Sequence, residues 1–480
     1  MTSDIVLMDA SALSEAIRAR KVSCVEVMTA YLDHIERLNP RVNAIVSLQD
    51  RSDLMAQARE RDDQLARGEW LGWMHGFPQA IKDLAATKGI RTTFGSRLFA
   101  DFVPDADAIF VERMKRSGAI IIGKTNTPEF GLGSQTYNDV FGTTLNAYDQ
   151  TRTSGGSSGG AAVALALRML PVADGSDHAG SLRNPAAFNN VLGLRPVYGR
   201  VPSNTEEVFL PQLGVAGPMA RTVTDLSQLL AVQAGHDPRV PLSPTHEPST
   251  FAGSLDSDVK GLRLAWLGDL NGHLPMEDGV LDLCRKALRT FEDLGCLVEE
   301  ATPAFDPERV WQAWLVLRQW QVGAAWAEAY GDPDKRMLMK PEARWEIENG
   351  LRLSAFDVSR ASAVRTAWYH TVRRLFEAYD YLLLPSAQVF PFDAATHWPK
   401  EIAGRTMDTY HRWMEVVIPV TMSGCPAINV PVGFNGDGLP LGLQIVGPNH
   451  GELSVLKIAR AYEQATRHVQ NALPPLLNQR

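Results

Sequence analysis

The stretch TSGGSSGGAAVALALRMLPVADGSDHAGSLRNPAA, residues 153–187, decides how the rest of the chain is read. It opens on a loop of small, hydroxyl-bearing residues among glycines, Thr153 to Gly160. It then becomes an alanine-rich segment, AAVALALRM, which predicts a helix because alanine is the best helix former. The apolar run LPVAD follows, and then a second polar loop, GSDHAGSLRNPAA, at 175–187. Glycine lets a backbone take positive φ and approach a ligand closely. A loop that opens a helix also presents free N–H groups to incoming negative charge. Ser181, at the end of the second loop, is therefore placed to sit beside convergent N–H groups. Such groups stabilise the oxyanion of an acyl transfer.

Outward from this stretch, strand and helix patterns alternate. Leu13 and Ile17, then Val25, Met28, Leu32 and Ile35, recur at helical spacing and predict two helices over 9–38. Residues 52–67 predict a third. The segment GWMHGFPQAIKD leads into a short apolar strand, and a helix over 106–117 precedes the strand AIIIG at 119–123. The proline- and serine-rich stretch 240–258 reads as a loop or internal linker. After it, LRLAWLG, VLDLCRKALRTFEDLG and CLVEE form a βαβ-like unit. Residues 308–376 are mainly helical in pattern. The strands YLLLP, INVPVGF and LGLQIVG come next, with a last helix at 452–466. The alternation predicts an α/β layered fold.

Composition narrows the function classes. The 480 residues are 45% hydrophobic and 21% charged, as in a soluble globular protein with a sizeable core. The net charge of -8 is spread along the chain, and no basic run suggests nucleic acid. No stretch of 18 or more apolar residues predicts a membrane span. The N-terminus lacks a basic region followed by an apolar run, so no signal peptide is expected. Cys24, Cys284, Cys296 and Cys425 form no CxxC pair and read as reduced, mostly buried thiols of a cytoplasmic protein. No histidine, cysteine and carboxylate cluster has ligand spacing, so neither metal nor cofactor is expected.

A serine nucleophile needs a base, and here a lysine is the candidate. Lys82 ends the apolar segment FPQAI and precedes Asp83. A lysine desolvated there loses its proton near neutral pH, since burial lowers its pKa from about 10.4. A neutral lysine can act through a serine hydroxyl as a proton shuttle. Asp177 and Arg183 flank the nucleophile and read as a loop-fixing ion pair, and Lys124 of GKTN reads as structural. A rival pattern is G-x-S-x-G at Gly156–Gly160, which would make Ser158 the nucleophile of an α/β-hydrolase. That elbow needs a strand immediately before it, and the preceding NAYDQTRTSG is polar and turn-like.

GGSSGGAAVALA at 155–166 with GSDHAGSLRNPAA resembles the amidase signature. GKTNTPEFGLGS at 123–134, GLRPVYGRVP at 193–202 and GCPAINVPVGF with GLPLGLQIVGP at 424–448 extend the resemblance over nearly the whole chain. It implies a single large α/β domain over 1–480, with a mixed central sheet covered by helices on both faces. Catalytic loops would fall in about 65–235. It also implies a triad in which Ser181 is the nucleophile, Ser157, in a cis peptide bond, bridges, and Lys82 is the base. Lys82 lies in the G-x-P-x-x-x-K-D segment formed by Gly76, Pro78, Lys82 and Asp83. The backbone of His178, Ala179, Gly180 and Ser181 would line the oxyanion hole. Family members are often homodimers, and the partner implied is a small-molecule amide, with esters or carbamates as extensions. The amidase-type component of glutaminyl-tRNA amidotransferases shares the signature, but RNPAAFNN replaces its RQP and cysteine-bearing pattern, which favours a free-standing hydrolase. A departure lies at Ala179, where the family usually has glycine. Eight of the eleven tryptophans fall within 305–415, and this region is expected to supply an apolar pocket for aryl or bulky amides.

Overall fold

Polar residues at chosen places break the chain into its elements. Ser23 and Glu26 close a reciprocal capping box at the start of the helix Cys24–Leu38, satisfying two N–H groups that a helix end leaves free. The helix Gly159–Ala166 carries only glycine, alanine, valine and leucine, and every residue of it is buried. A helix apolar all round has no solvent face and belongs inside. The computed structural model describes residues 2–478 apart from 204, 206 and 211.

The centre is an eight-stranded mixed sheet. Its strands lie in the spatial order Leu297–Glu300, Arg263–Trp266, Tyr381–Pro385, Pro440–Val446, Ala427–Phe434, Leu192–Arg195, Val215–Ala220 and Ala173–Asp177. The first three run parallel, and the remaining pairings are antiparallel. In Pro440–Val446 every residue is buried. Successive side chains of a strand point to opposite faces, so the sheet is covered on both. Arg263–Trp266, the helix Val280–Asp293 and Leu297–Glu300 make the βαβ unit expected from the sequence. One core cluster runs from Ile5 to Leu476. Residues 240–258 run as a loop except for the short 3-10 helix Pro248–Ala252, held to the body by buried Phe251, whose carbonyl accepts from Ser227 Oγ.

Two features of the sheet differ from what the sequence pattern predicts. Leu192–Arg195 and Val215–Ala220 are strands that the apolar pattern leaves unmarked. The edge strand also runs through Gly175, Ser176 and Asp177, whose polarity predicts a loop, because they pair with Gly217, Ala216 and Val215. A cross-strand ladder thus overrides local polarity. Beside this edge lies a three-stranded sheet in which Pro78–Lys82 pairs parallel with Ile120–Thr125. The Lys82 backbone N–H donates to Asp174 Oδ2 at 3.1 Å and joins the two sheets.

Where the edge strand ends, Asp177 takes over. Its fully buried carboxylate accepts from the N–H groups of Gly180 at 2.8 Å and Leu182 at 3.2 Å. Arg183 reaches it through Nε and Nη2, both at 3.0 Å, and Arg195 through Nη1 at 3.1 Å. Arg183 also donates to Gln444 Oε1 at 2.5 Å and to Thr421 Oγ1 at 2.9 Å. The loop carrying Ser181 is thereby tied to the middle of the sheet. Burial would raise the Asp177 pKa, but the two guanidinium groups and the donated N–H bonds hold it well below the usual carboxylate range.

Asp177→Asn keeps the shape and removes the charge, leaving two buried arginines without their carboxylate. Breaking a buried pair from one side costs about 3–5 kcal/mol. Urea unfolding at pH 7 should show a loss of that size, and a loss under ~1 kcal/mol would mean that the loop is not held by this carboxylate.

Candidate functional site

Four segments meet at a cavity of about 560 Å³. Lys82 comes from the end of the strand Pro78–Lys82 of the small sheet, and Ser157 from the loop before the helix Gly159–Ala166. Ser176 comes from the edge strand, and Ser181 from the turn that Asp177 holds. The peptide bond Gly156–Ser157 is cis.

The Lys82 side chain is buried and surrounded by hydroxyls. Its Nζ lies 2.8 Å from Ser157 Oγ, 2.8 Å from Ser158 Oγ and 2.9 Å from Ser176 Oγ. Burial pushes the amine's pKa down to about 7, although the carboxylates of Asp174 and Asp177 pull it upward. Asp174 is itself buried, and desolvation raises its pKa to about 6. A neutral amine offers two N–H donors and one lone pair, so three hydroxyls match its full capacity. Lys82, Ser157 and Ser181 all line the cavity. Ser158 Oγ is fully buried, touches Lys82 and donates to the Ser176 carbonyl at 3.3 Å. Among the described residues no strand immediately precedes Ser158, so the elbow of an α/β-hydrolase is not formed there.

The departure at Ala179 is accommodated. Positive φ falls on Gly180, at 88°, and Ala179 keeps an ordinary backbone conformation. A side chain at 180 would also meet Val417 Cγ2 at 2.6 Å, so the close approach needs glycine there. The Gly180 N–H, expected to face the oxyanion, already donates to Asp177. Lys124 donates to the Ala85 carbonyl and to Thr87 Oγ1, which fits its structural reading.

The walls differ from the expected ones. Among the described residues only Gln321 comes from 305–415. The apolar part of the lining is Leu84, Phe94, Phe110 and Phe130, with Ala85 and Ala86. The lining also holds Asp107, His178, Tyr198, Ser203, Thr205 and Gly214. Trp311, Trp314, Trp368 and Trp413 of 305–415 belong to the core instead. Trp311 and Trp314 do share a helical face, but that face packs on itself, with ring centroids 5.0 Å apart, and on His411. Trp326 stacks behind Phe130 at 3.9 Å. Met337 is exposed and Met339 lies in a small separate cluster. A sequence signal for the true wall existed in Phe130, inside the GKTNTPEFGLGS segment. Tyr198 likewise lies inside GLRPVYGRVP, whereas Phe94 and Phe110 carried none.

One ligand-type cluster forms among the described residues: His273, Glu308 and Glu415. Sequence spacing could not show it, since its members come from distant segments. Arg412 donates to Glu308 at 2.6 Å and pairs with Glu415 at 2.8 Å, so a cation already occupies these carboxylates. None of the three lines the cavity. No helix among the described residues is long and apolar enough to cross a membrane.

Comparison with known proteins agrees with this geometry. The model of the family described as Amidase matches residues 26–456. An acylamidase from Rhodococcus erythropolis is 35% identical over 467 residues, 95% of each chain. A glutamyl-tRNA(Gln) amidotransferase component from Thermosynechococcus vestitus is 35% identical over 469 residues, 92% of this chain and 95% of that one. Among solved structures, a bacterial aryl acylamidase of the amidase signature family superposes with a TM-score of 0.92, covering 99% of both chains at 27% identity. The 6-aminohexanoate cyclic dimer hydrolase, solved with its substrate, superposes at 0.88 over 98% of this chain and 100% of that one, at 26% identity. By family model, sequence and fold, the chain belongs to the amidase signature family and is an amidase-type hydrolase.

Proposed function

We propose that the protein is a free-standing hydrolase of aryl or bulky apolar carboxylic amides, acting through an acyl-enzyme on Ser181 with Ser157 and Lys82 as its proton relay. The observation that carries the relay is the buried Lys82 amine, 2.8 Å from Ser157 Oγ in the cavity that Ser181 also lines. In this reading neutral Lys82 takes a proton from Ser157 as Ser157 takes one from Ser181. Ser181 Oγ bonds to the carbonyl carbon, and the carbonyl electrons move to oxygen. The backbone N–H groups of His178, Ala179 and Ser181 face that oxygen, the Gly180 N–H being held by Asp177. The tetrahedral intermediate collapses, the C–N bond breaks, and the leaving nitrogen receives the proton back through Ser157. Water then repeats the attack on the ester carbon and releases the carboxylic acid and free Ser181.

The apolar face of Phe94, Phe110 and Phe130 supports the substrate class. Burying a phenyl-sized group contributes roughly 2–3 kcal/mol by apolar area. The structural likeness to an aryl acylamidase points the same way. A second reading is favoured by the equal sequence identity to an amidotransferase component, which would make the chain one part of an assembly. Turnover of simple amides by the purified chain alone supports the first reading; turnover only with added partner proteins supports the second.

The relay has a definite pH signature. Below a pKa of about 7 Lys82 is charged and has no lone pair for Ser157. kcat/KM should therefore rise with pH through one ionisation near 7 and level off above it. Ser181→Ala and Lys82→Ala should each abolish turnover, since relay members act as a unit. Lys82→Arg should not restore it, because arginine keeps its proton. Ser158→Ala should retain far more activity than Ser181→Ala. A near-native rate for Lys82→Arg, or the reverse ranking of the two serines, would overturn these assignments.

The cavity generates a substrate prediction. An anilide or other bulky apolar amide should exceed acetamide in kcat/KM by at least about tenfold, which needs only about 1.4 kcal/mol. Equal rates, or a strict requirement for a charged substrate, would remove the substrate class and leave the family untouched.

A further inference from the structure

The cavity holds polar side chains that the reaction does not use. His178 is one of them, three residues before Ser181, where the edge strand gives way to the turn. Its Nε2 is buried and has no hydrogen-bond partner among the described residues. Across the strand pairing, the next position beyond Asp177 and Val215 is Gly214. A Cβ at Gly214 would stand 3.6 Å from His178 Nδ1, so glycine leaves that edge of the ring without a covering side chain. Burial, with Arg318 and Arg195 nearby, pushes the imidazole's pKa down to about 3, so the ring is neutral at any working pH.

A neutral imidazole carries one N–H and one bare nitrogen. A buried N–H without an acceptor is a rarer and costlier arrangement than an under-used acceptor. The buried Nε2 is then the bare nitrogen, and Nδ1 carries the proton on the edge beside Gly214. A neutral ring cannot hold a carboxylate by charge. The lining residues Leu84, Phe94, Phe110 and Phe130 carry no polar side-chain atom, and the carboxylate of Asp107, which also lines the cavity, is taken by Lys115 Nζ at 2.8 Å.

We propose that His178 is a specificity-determining residue that donates its Nδ1–H to an acceptor oxygen of the substrate, so that the preferred amides join a bulky apolar half to a neutral, oxygen-bearing half. This rests on the amide-hydrolase reading above and names the side of the substrate which that reading leaves open. The hydroxyl-bearing Ser203 and Thr205 line the same cavity and suit uncharged polar groups.

Matched substrates test it. Methoxyacetanilide and butyranilide differ only by oxygen for methylene in the acyl half. N-(2-methoxyethyl)benzamide and N-butylbenzamide carry the same exchange in the amine half. The readout is the ether-to-methylene ratio of kcat/KM in the native enzyme divided by that ratio in His178→Phe. The ether's own effect on carbonyl reactivity is common to both enzymes and cancels. For one of the two pairs this quotient should be at least about threefold, the lower range for one net hydrogen bond. His178→Asn, which keeps an N–H donor, should recover part of it. A quotient near one for both pairs overturns the proposal, whatever the variants do to the overall rate. If no amide is turned over by the native enzyme, the hydrolase reading fails. Calorimetric binding of the same pairs to Ser181→Ala and to Ser181→Ala with His178→Phe then decides on His178 by the same quotient of affinities. Should His178→Phe not fold, the comparison with His178→Asn and with His178→Leu carries the same criterion.

Discussion

The carboxylate of Asp177 is the constraint on which the site depends. It is fully buried, and its two oxygens answer to two backbone N–H groups and two arginines. Through Arg183 it reaches Gln444 in the neighbourhood of the central strands and Thr421 on the helix Ile418–Ser423. Through Arg195 it reaches the carbonyl of Leu213, beside the strand Val215–Ala220. A charge buried this deeply is tolerated only when its lone pairs are filled, and the chain fills them from four directions. The turn that carries Ser181 therefore has little freedom to move without unpairing a buried charge. Rigidity at that turn is what a set of convergent N–H groups requires, because donors that must reorganise during the reaction lose their advantage.

The same burial has the opposite outcome across the joint between the two sheets. Asp177 meets two guanidinium groups and keeps its charge. Lys82 meets three hydroxyls, whose dipoles satisfy an amine in either protonation state but do not replace a counter-charge. Desolvation then dominates, and the lysine is driven toward neutrality. The joint between the sheets makes this possible. Lys82 approaches through its backbone N–H, which takes up Asp174, while its side chain turns to the serines. One residue thus uses its main chain to fix position and leaves its side chain free for the proposed proton transfer.

Much of this was legible in the sequence, and the limits have physical causes. The helices Cys24–Leu38, Val280–Asp293 and Glu452–Thr466 carry strong apolar periodicity or caps and stand where the pattern puts them. The amidase resemblance named Lys82, Ser157 and Ser181, and the fold gathers them at one cavity. The strands Leu192–Arg195 and Val215–Ala220 were not legible. Each holds glycine or proline and gains its identity from its neighbours in the sheet, so no local signal marks it. The pocket walls were misplaced for a related reason. A tryptophan pair on one helical face predicts burial, and burial alone does not distinguish a core from a binding cavity. Trp311 and Trp314 pack against each other and His411, whereas the cavity is faced by phenylalanines from three separated loops and helices.

The charge states around Lys82 are mutually dependent, and this limits which of them can change during the proposed catalytic cycle. Asp177 pulls the lysine toward its charged form, less than Asp174 does, and is itself bound by two arginines. Asp174 pulls in the same direction with no arginine beside it in its set of contacts. Its own pKa is raised to about 6 by burial, with the backbone N–H of Lys82 as its strongest opposing influence. Near neutral pH, then, Asp177 stays ionised while Asp174 and Lys82 lie close to their transition points. Lys124 also faces Asp174, with a larger effect on it than the charge of Lys82, so the field of this carboxylate is shared between two lysines. A proton gained by Lys82 strengthens the ionised form of Asp174, and loss of the Asp174 charge releases Lys82 to its neutral form. The proposed relay consequently has a buried carboxylate that can stabilise the ammonium formed when Lys82 accepts a proton, without a fixed ion pair that would hold it there. A permanent partner of the Asp177 and Arg183 kind would have locked Lys82 charged, and the lone pair that Ser157 requires would be lost.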